Sequence, residues 1–354
     1  MAERNYEFRK KLNTVHTPNR KNPDKALTQG EIEICNGASI IIESSTPFIE
    51  YVAKDFQDYL FTSMNVSTII LREKPKAGFV IKLTIKAEST ETGKDLSIQR
   101  SYRLIINPNE ITICGNDERG LAQGCYYLED LMNLREAPFL SQTDIVRSPA
   151  FAPRMIHSGW GLDVFPDNHL NAIAHAGMDA ILLFVEDVDK TNVGYLDIND
   201  LIDRAAKYGI DVYLYSNIIS KLHPDDPNAV EFYENTYGRL IKTHAGAKGL
   251  IFVGESCEFP SKDPHTTGRL RLEPSPDGKP DSRPSPGWWP CTDYPQWLNM
   301  LKGIMRKYNP DLDIVFWTYN WGWAPEEDRL ALIRNLPTDV SLQATFEMFE
   351  DIVK

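Results

Sequence analysis

From residue 151 onward the sequence alternates between short apolar runs and helical patterns, and this alternation restricts the possible folds more than any other feature. Strand-like runs occupy residues 154–162, 179–186, 210–217, 248–255, 312–320 and 340–349. Helical patterns lie between them, near residues 167–176, 197–208, 228–242, 294–307 and 325–335. Apolar strands separated by helices are typical of parallel sheets that are covered on both faces. This half of the chain is therefore predicted to have an α/β fold.

The repeated strand–helix unit favours a (β/α)8 barrel of the TIM type. A doubly wound sheet is the alternative, but no GxGxxG pattern follows the first strand, so dinucleotide binding has little support. About 200 residues follow residue 153, whereas a complete barrel usually takes about 250. We expect an incomplete barrel with about six strand–helix units, either a fragment of a longer protein or a variant that is closed in another way.

The preceding residues have a mixed pattern typical of a smaller α+β domain. Helices are predicted over residues 48–61, after Thr46, and over 116–136, with Asp117 as the cap. Residues 31–43 contain two strand-like runs around Asn36-Gly37, which predicts a hairpin, and residues 101–115 contain two more around Pro108-Asn109.

These patterns predict three segments. They are a loosely held arm over residues 1–28, an accessory α+β domain over 29–146, and the barrel over 151–354. No HExxH motif and no cluster of histidines occurs in the accessory half, so we expect no site there.

Composition excludes several classes of partner. The chain is 42% hydrophobic and 25% charged, as in ordinary globular proteins. Its formal net charge of −12 opposes binding to nucleic acid. No apolar run approaches the roughly 20 residues that cross a bilayer. The polar start of the sequence shows no secretory signal, which leaves a cytoplasmic location and secretion after signal removal both open.

Cysteine spacing gives no sign of a metal site or a disulfide framework. The five cysteines are scattered and form no CxxC pair. We therefore predict no metal and no cofactor, and the sequence does not indicate an oligomeric state.

Acidic and aromatic residues stand at the carboxyl ends of the predicted strands, where barrels build their active sites. In chain order they are Trp160, Asp163, Asn217, Glu255, Glu258, Trp317, Tyr319, Asn320, Trp321 and Glu347. Aromatic planes stack on the faces of pyranose rings, and paired carboxyl groups cleave glycosidic bonds. The pattern predicts a carbohydrate site at this end of the barrel.

Glu255 and Glu347 are the predicted catalytic pair. Glu255 ends an apolar strand, and burial there would raise its pKa, as a general acid requires. The alternative for Glu255 is a solvated charge or a pair with an arginine. Glu350 replaces Glu347 if the register of the last strand differs, and Glu258 is predicted to contact substrate.

Other residues are assigned by their local pattern. All seven tryptophans lie between residues 160 and 323. Trp297 is predicted to pack a helix against the barrel, whereas the run from Trp317 to Trp323 is predicted to bind a ligand. His157, inside the first strand, is expected in the core. The proline-rich insert 257–291 is either a lid over the mouth or a linker.

Two segments carry a family resemblance. SYRLIINPNEITICGNDERGLAQGCYYLEDL (101–131) and FAPRMIHSGWGLDVFPDNHLNAIAHAGMDAILLF (151–184) resemble the end of the accessory domain and the start of the barrel in β-hexosaminidases. Bacterial α-glucuronidases have a similar accessory domain and barrel. The resemblance implies an accessory α+β domain followed by a barrel, and glycoside hydrolase activity.

The sequence departs from the hexosaminidase pattern at two places. The position of the family's substrate-gripping arginine falls on Ser158, and its G-G-D-E motif falls on residues 253–256, so the Asp-Glu dyad is not kept. A carboxylate at the fourth strand and another at the sixth are similar to the inverting arrangement of α-glucuronidases. The sequence thus predicts a glycoside hydrolase acting on an oligosaccharide or glycan. The alternative is a carbohydrate-binding barrel without catalysis.

Overall fold

The computed structural model describes residues 14–43, 46–157, 164–216, 218, 220–253, 262, 291–318 and 326–344. By its internal contacts the chain divides into two compact units. The first unit comprises Met1–Met155, Pro166–Asp179 and Arg204–Ile210, and the second comprises Ile156–Phe165, Ala180–Asp203 and Asp211–Lys354. The predicted domain limits stay predictions.

The first unit is built on a six-stranded mixed sheet. Its strands are β2 (Ala38–Ile42), β3 (Thr68–Leu71), β4 (Val80–Ile85), β5 (Tyr102–Asn107), β6 (Glu110–Gly115) and β8 (Thr143–Arg147). A small second sheet consists of β1 (Glu31–Glu33) and β7 (Phe139–Ser141). The large sheet has the order β3-β2-β4-β6-β5-β8, and β1 pairs with β7. Its helices are α1 (Pro47–Met64), α2 (Glu118–Arg135) and α3 (Asp167–His175).

The helix starts predicted from the sequence are confirmed. The Thr46 hydroxyl accepts a hydrogen bond from the Ile49 amide at 3.3 Å, at the start of α1. The Asp117 carboxylate accepts one from the Gly120 amide at 2.8 Å, at the start of α2. Each bond satisfies an amide that has no partner within the helix.

The hairpin predicted for residues 31–43 is wrong. Strand β2 has β3 on one side and β4 on the other, both parallel to it, so no edge of β2 is open to β1. Strand β1 pairs antiparallel with β7 instead. The turn predicted at Asn36-Gly37 does form, with Gly37 at φ +84°, and its Asn36 side chain accepts from the Ser67 amide at 2.8 Å. The turn passes the chain from one sheet to the other.

The second hairpin, by contrast, is confirmed, and α2 lies close against it. Strands β5 and β6 pair antiparallel, with Asn107 opposite Glu110. A Cβ on Gly120 would lie 2.2 Å from the Ser101 carbonyl oxygen, and one on Gly124 would lie 2.4 Å from the Ile113 side chain. These glycines therefore allow α2 to approach the sheet more closely than any other residue would.

Residues 17–20, in the described part of the N-terminal segment, form hydrogen bonds with α1. The amides of Asn19 and Arg20 donate to the carbonyls of Thr62 and Ser63 at 2.9 and 2.8 Å. The Ser63 hydroxyl donates to the Thr17 carbonyl at 2.9 Å. These bonds hold residues 17–20 beside the last turn of α1.

The second unit contains a sheet whose strands follow one another in chain order. They are β9 (Met155–His157, whose first residue belongs to the first unit), β10 (Ala180–Val185), β13 (Asp211–Ser216), β14 (Gly249–Val253), β15 (Asp313–Trp317) and β16 (Ser341–Gln343). Strands β10 to β16 of this sheet pair parallel. The short strands β11 (Lys190–Thr191) and β12 (Gly194–Tyr195) form a separate hairpin. A doubly wound sheet reverses its strand order at a switch point, and this order does not reverse, which is consistent with an incomplete TIM barrel.

Helices separate these strands, and one of them contains a π-helical segment. They are α4 (Ile198–Ala206), α5 (Ala229–Tyr233), the π-helix Glu234–Gly238, α6 (Arg239–Thr243), α7 (Tyr294–Met305) and α8 (Glu326–Asn335). Trp297 of α7 is fully buried, as predicted, among Tyr233, Tyr237 and Phe252. None of the helices in the described ranges is long and apolar enough to cross a membrane.

Candidate functional site

Most of the predicted site residues lie outside the described part of the chain. Trp317 is described. The others are Trp160, Asp163, Asn217, Glu255, Glu258, Tyr319, Asn320, Trp321 and Glu347. For these residues the sequence-based roles stay predictions, and the described strand ends beside them define the candidate site.

Helix α7 packs on one face of the second unit's sheet, which identifies that face as the outer one. Phe252 and Phe316 pack on Trp297 and Tyr294 of this helix, with ring centroids 5.0 and 4.5 Å apart. Successive side chains of a strand point to opposite faces. Trp317, the residue after Phe316, therefore lies on the face turned away from α7, which is the inner face of a barrel.

Four rings line this inner face at the carboxyl ends of their strands, and we call them the aromatic row: His157, Phe184, Tyr215 and Trp317. Centroid distances along the row are 4.5, 4.7 and 5.9 Å, each with edge-to-face geometry. Phe184 and Tyr215 are register partners on neighbouring strands and are buried, while Trp317 is half-buried and His157 is exposed.

The contact between Tyr215 and Trp317 crosses an intervening strand. Tyr215 is on β13 and Trp317 on β15, and β14 lies between them. Strands two apart in a sheet are separated by about 9.5 Å, yet these ring centroids are 5.9 Å apart. His157 and Tyr215 meet across β10 in the same way, at 6.2 Å. Side chains converge like this over the concave face of a curled sheet.

A packed layer fills the inner face at the opposite, amino-terminal end. The Tyr213 hydroxyl donates to the Asp313 carboxylate at 2.9 Å. A Cβ on Gly249 would lie 2.4 Å from the Tyr213 ring, so this ring rests directly on the backbone of β14. This layer closes the amino-terminal end of the face, and the aromatic row lies at its carboxyl end.

The π-helix holds the chain that follows β13. The Tyr237 hydroxyl is 2.8 Å from the Ser216 hydroxyl and donates to the Ile218 carbonyl at 3.1 Å. Short π-helical segments occur often at functional sites. Ile218 directly follows the predicted site residue Asn217, so Tyr237 orders the backbone next to that residue.

Polar contacts hold Lys262, a described residue of the insert predicted at 257–291. The Asp293 carboxylate accepts from the Lys262 amide at 2.8 Å and lies 3.4 Å from His223 Nε2. Asp225 accepts from the Gln296 amide group at 2.6 Å and pairs with the Lys262 ammonium. The bonds from Lys262 and Gln296 lower the pKa of Asp225. Lys262 is thus fixed near the start of α7.

Sequence reasoning missed three members of the aromatic row. His157 was expected in the core, but it is exposed and packs edge-on against Phe184. Phe184 and Tyr215 were not singled out, although each is the last residue but one of its strand. Because barrel sites form at this end of the strands, that position was the signal that could have identified them.

A second group of titratable side chains lies in the first unit, where no site was expected. It consists of His16, Asp55, Glu129 and His175, which we call the histidine–carboxylate cluster. Burial works to lower the pKa of His175, but the carboxylates of Glu129 and Asp55 outweigh it and raise that pKa to about 10. Burial raises the pKa of Glu129. Burial works to raise the pKa of Asp55, but the two imidazoles hold it well below its usual range.

Comparison with known proteins finds likeness in structure but not in sequence. No family model and no curated protein matches the sequence. The fold matches a β-hexosaminidase of Streptomyces plicatus in complex with its product GlcNAc, at a TM-score of 0.60 and 14% identity over 92% of this chain and 76% of that one.

Two further solved structures match over most of this chain. CpGH84B does so at a TM-score of 0.59 and 13% identity, over 92% of this chain, which spans 55% of its length. The 4-O-methyl-α-glucuronidase BtGH115A, a GH115 enzyme specific for decorated arabinogalactans, does so at 0.56 and 13%, over 88% of this chain and 45% of its own. The chain therefore has the fold of these glycoside hydrolases, and the resemblance predicted from residues 101–131 and 151–184 is confirmed at the level of fold.

Proposed function

We propose that the protein is a glycoside hydrolase that cleaves a glycosidic bond of an oligosaccharide or glycan. The observation that carries this proposal is the aromatic row on the concave face, at the carboxyl ends of the strands. Pyranose rings present C–H faces that pack on aromatic planes. The half-buried ring of Trp317 supplies such a plane beside buried Tyr215, and the fold is that of known glycoside hydrolases.

The strand order supports the predicted catalytic pair. Glu255 comes two residues after the end of β14, and Glu347 comes four residues after the end of β16. Strand β15, which ends in Trp317, pairs with both of these strands. The two carboxyl groups therefore follow the strands on either side of the one that carries the sugar platform.

The proposed mechanism uses this pair. Glu255 protonates the leaving oxygen, and Glu347 activates water in an inverting reaction or attacks the sugar in a retaining one. A separation of about 6.5–9.5 Å between the carboxyl groups fits inversion, and about 5 Å fits retention. Trp317, Tyr319 and Trp321 hold the sugar. The remaining predicted contacts are Trp160, Asp163, Asn217, Glu258 and Asn320.

The second candidate is a carbohydrate-binding barrel without catalysis. It is favoured by residues 253–256, which lack the Asp-Glu dyad of the hexosaminidase pattern. Both candidates require sugar binding at Trp317, and only the hydrolase requires Glu255.

Catalysis is tested by sugar release from a panel of methyl glycosides, whose leaving oxygen needs a proton, that includes the N-acetyl-β-glucosaminide and the α-glucuronide. We expect Glu255→Gln to lower kcat by about 10²- to 10⁴-fold, because proton transfer to the leaving group is lost. Glu347→Gln is compared with Glu350→Gln to decide which of the two is the partner. Glu326→Gln, an exposed carboxylate of α8, is the control. A full rate in Glu255→Gln would reject its role.

Binding is tested separately by calorimetry with the sugar that is turned over or, if none is, with a glycan panel. We expect Trp317→Ala to weaken binding by at least about tenfold through loss of the stacking surface. Tyr195→Ala, at an exposed ring of β12, is the matched control. Binding without turnover would establish the second candidate, and the absence of both would overturn the two together.

A further inference from the structure

The histidine–carboxylate cluster joins four separate parts of the first unit. His16 precedes β1, Asp55 is in α1, Glu129 is in α2, and His175 ends α3. Their side chains are 6%, 8%, 4% and 14% exposed, respectively. Charged and polar groups that are this deeply buried require partners.

The side chains of the cluster lie at short distances from one another. His16 Nε2 lies 3.5 Å from Asp55 Oδ1, and His175 Nε2 lies 2.9 Å from Asp55 Oδ2 and 3.3 Å from Glu129 Oε2. The ion-pair contacts of both Nε2 atoms and of Asp55 Oδ2 do not have the geometry of hydrogen bonds. Ligand atoms of a tetrahedral zinc site, bound at about 2.1 Å, are about 3.4 Å apart. The distances from His16 to Asp55 and from Glu129 to His175, at 3.5 and 3.3 Å, are near this spacing.

Neighbouring groups orient the ligand atoms toward one another. His175 Nδ1 donates to the Asn171 carbonyl at 2.8 Å, which directs Nε2 into the cluster. The Asn171 amide group donates to Asp55 Oδ1 at 2.8 Å, the oxygen nearest His16, and Oδ2 faces His175. A backbone carbonyl behind the imidazole is the usual support of a metal-bound histidine.

Further polar atoms around the cluster also lack partners. They are Glu129 Oε1 and the Tyr126 hydroxyl, on side chains that are more than nine-tenths buried. A cavity of about 60 Å³, lined among others by His16, Glu129, Tyr126 and His175, adjoins them. This space gives an incoming ion, or a water bound to it, a place beside the ligand atoms.

We propose that His16, Asp55 and His175 bind one divalent transition-metal ion, and that this ion is zinc. The ligand atoms of these residues all lie within 4.8 Å of one another. Imidazole and carboxylate ligands suit zinc, whereas magnesium and calcium prefer oxygen ligands alone. The two positive charges of the ion balance the carboxylates of Asp55 and Glu129, and the ion ties the segment before β1 to α1 and α3.

The first test measures metal bound to the wild-type chain. The protein is stripped with a chelator, dialysed against zinc at 100 µM, and analysed by elemental mass spectrometry. We expect about one zinc per chain, and a cobalt-loaded sample with the intense visible bands of a four-coordinate ion. An occupancy below half an equivalent, or cobalt bands of six-coordinate type, overturns the proposal. In that case a proton shared between the imidazoles and carboxylates holds the cluster together.

The second test assigns the ligands. We expect His16→Gln and His175→Gln each to weaken zinc binding at least about 100-fold in a chelator competition. His169→Gln, a buried histidine of the same helix as His175, is the matched control and keeps wild-type affinity. If His175→Gln does not fold, His16→Gln decides, because His16 lies outside any helix or strand. Wild-type affinity in folded His16→Gln overturns the assignment.

Discussion

Single residues hold the first unit together by contacts across long stretches of sequence. The Arg135 guanidinium donates to both carboxylate oxygens of Glu31, at 2.7 and 3.0 Å, and so joins the end of α2 to β1. The Thr28 amide donates to the same carboxylate at 2.9 Å. The bonds from Arg135, followed by the one from Thr28, lower the pKa of Glu31 to about 2.

This ion pair predicts a pH-dependent difference in stability. The folded-state pKa of Glu31 lies below its usual 4.5, so the contribution is complete above about pH 4.5 and is lost as the pH falls toward 2. We expect Glu31→Gln to lower the Tm by about 2 °C at pH 7. Calorimetry from pH 7 down to pH 3 should show the difference from wild type shrinking.

The control for this prediction is Glu73→Gln, an exposed carboxylate in the loop after β3. It should change the Tm little at any pH. A difference for Glu31→Gln that stays constant from pH 7 to pH 3 would contradict the role of the charge.

The burial of a single side chain could be predicted in a long helix but not in a short strand. Trp297 was correctly assigned because helical spacing tells which side of a long helix is buried. His157 was not, because β9 has three residues, too few for alternation to distinguish the two faces. Its exposure depends on what lies over the strand, and the local sequence does not contain that information.

At the scale of elements, the packing of α2 on β5 and β6 depends on small side chains. Gly120→Ala would place a methyl group 2.2 Å from the Ser101 carbonyl oxygen, on a backbone that cannot move aside easily. We expect it to reduce the free energy of unfolding by about 1–3 kcal/mol. Denaturant titration of the purified variant measures this change.

Gly303→Ala is the matched control for this substitution. Gly303 lies inside α7, and a Cβ there meets no atom within 4 Å. Alanine should therefore increase the free energy of unfolding by about 0.5–1 kcal/mol, since it favours the helix. Equal effects of the two substitutions would contradict close packing as the reason for glycine at position 120.

Elements were predicted better than their pairing. The turn at Asn36-Gly37 could be predicted because it depends on a residue that tolerates positive φ. The partner of β1 could not, because β7 lies about 100 residues away and competes with every other strand edge. The result was a correct turn within an incorrect hairpin.

At the scale of the whole molecule, the net charge of −12 predicts how the protein behaves toward polyanions. We expect no saturable binding of a 30-base-pair duplex below about 100 µM protein in 50 mM salt, because phosphates are repelled. Fluorescence anisotropy of a labelled duplex measures this, with a basic DNA-binding protein as the positive control. Micromolar binding that weakens steeply with added salt would contradict the prediction.

The amino-acid sequence by itself determined where most helices and strands lie and that the second half forms a barrel-type sheet, because hydrophobic period and caps act over a few residues. Only the tertiary structure decided that β1 pairs with β7, that four rings converge on the concave face, and that His16, Asp55, Glu129 and His175 meet. These last features join residues that lie far apart along the chain. Their meeting depends on the path of the whole backbone, which no local pattern specifies.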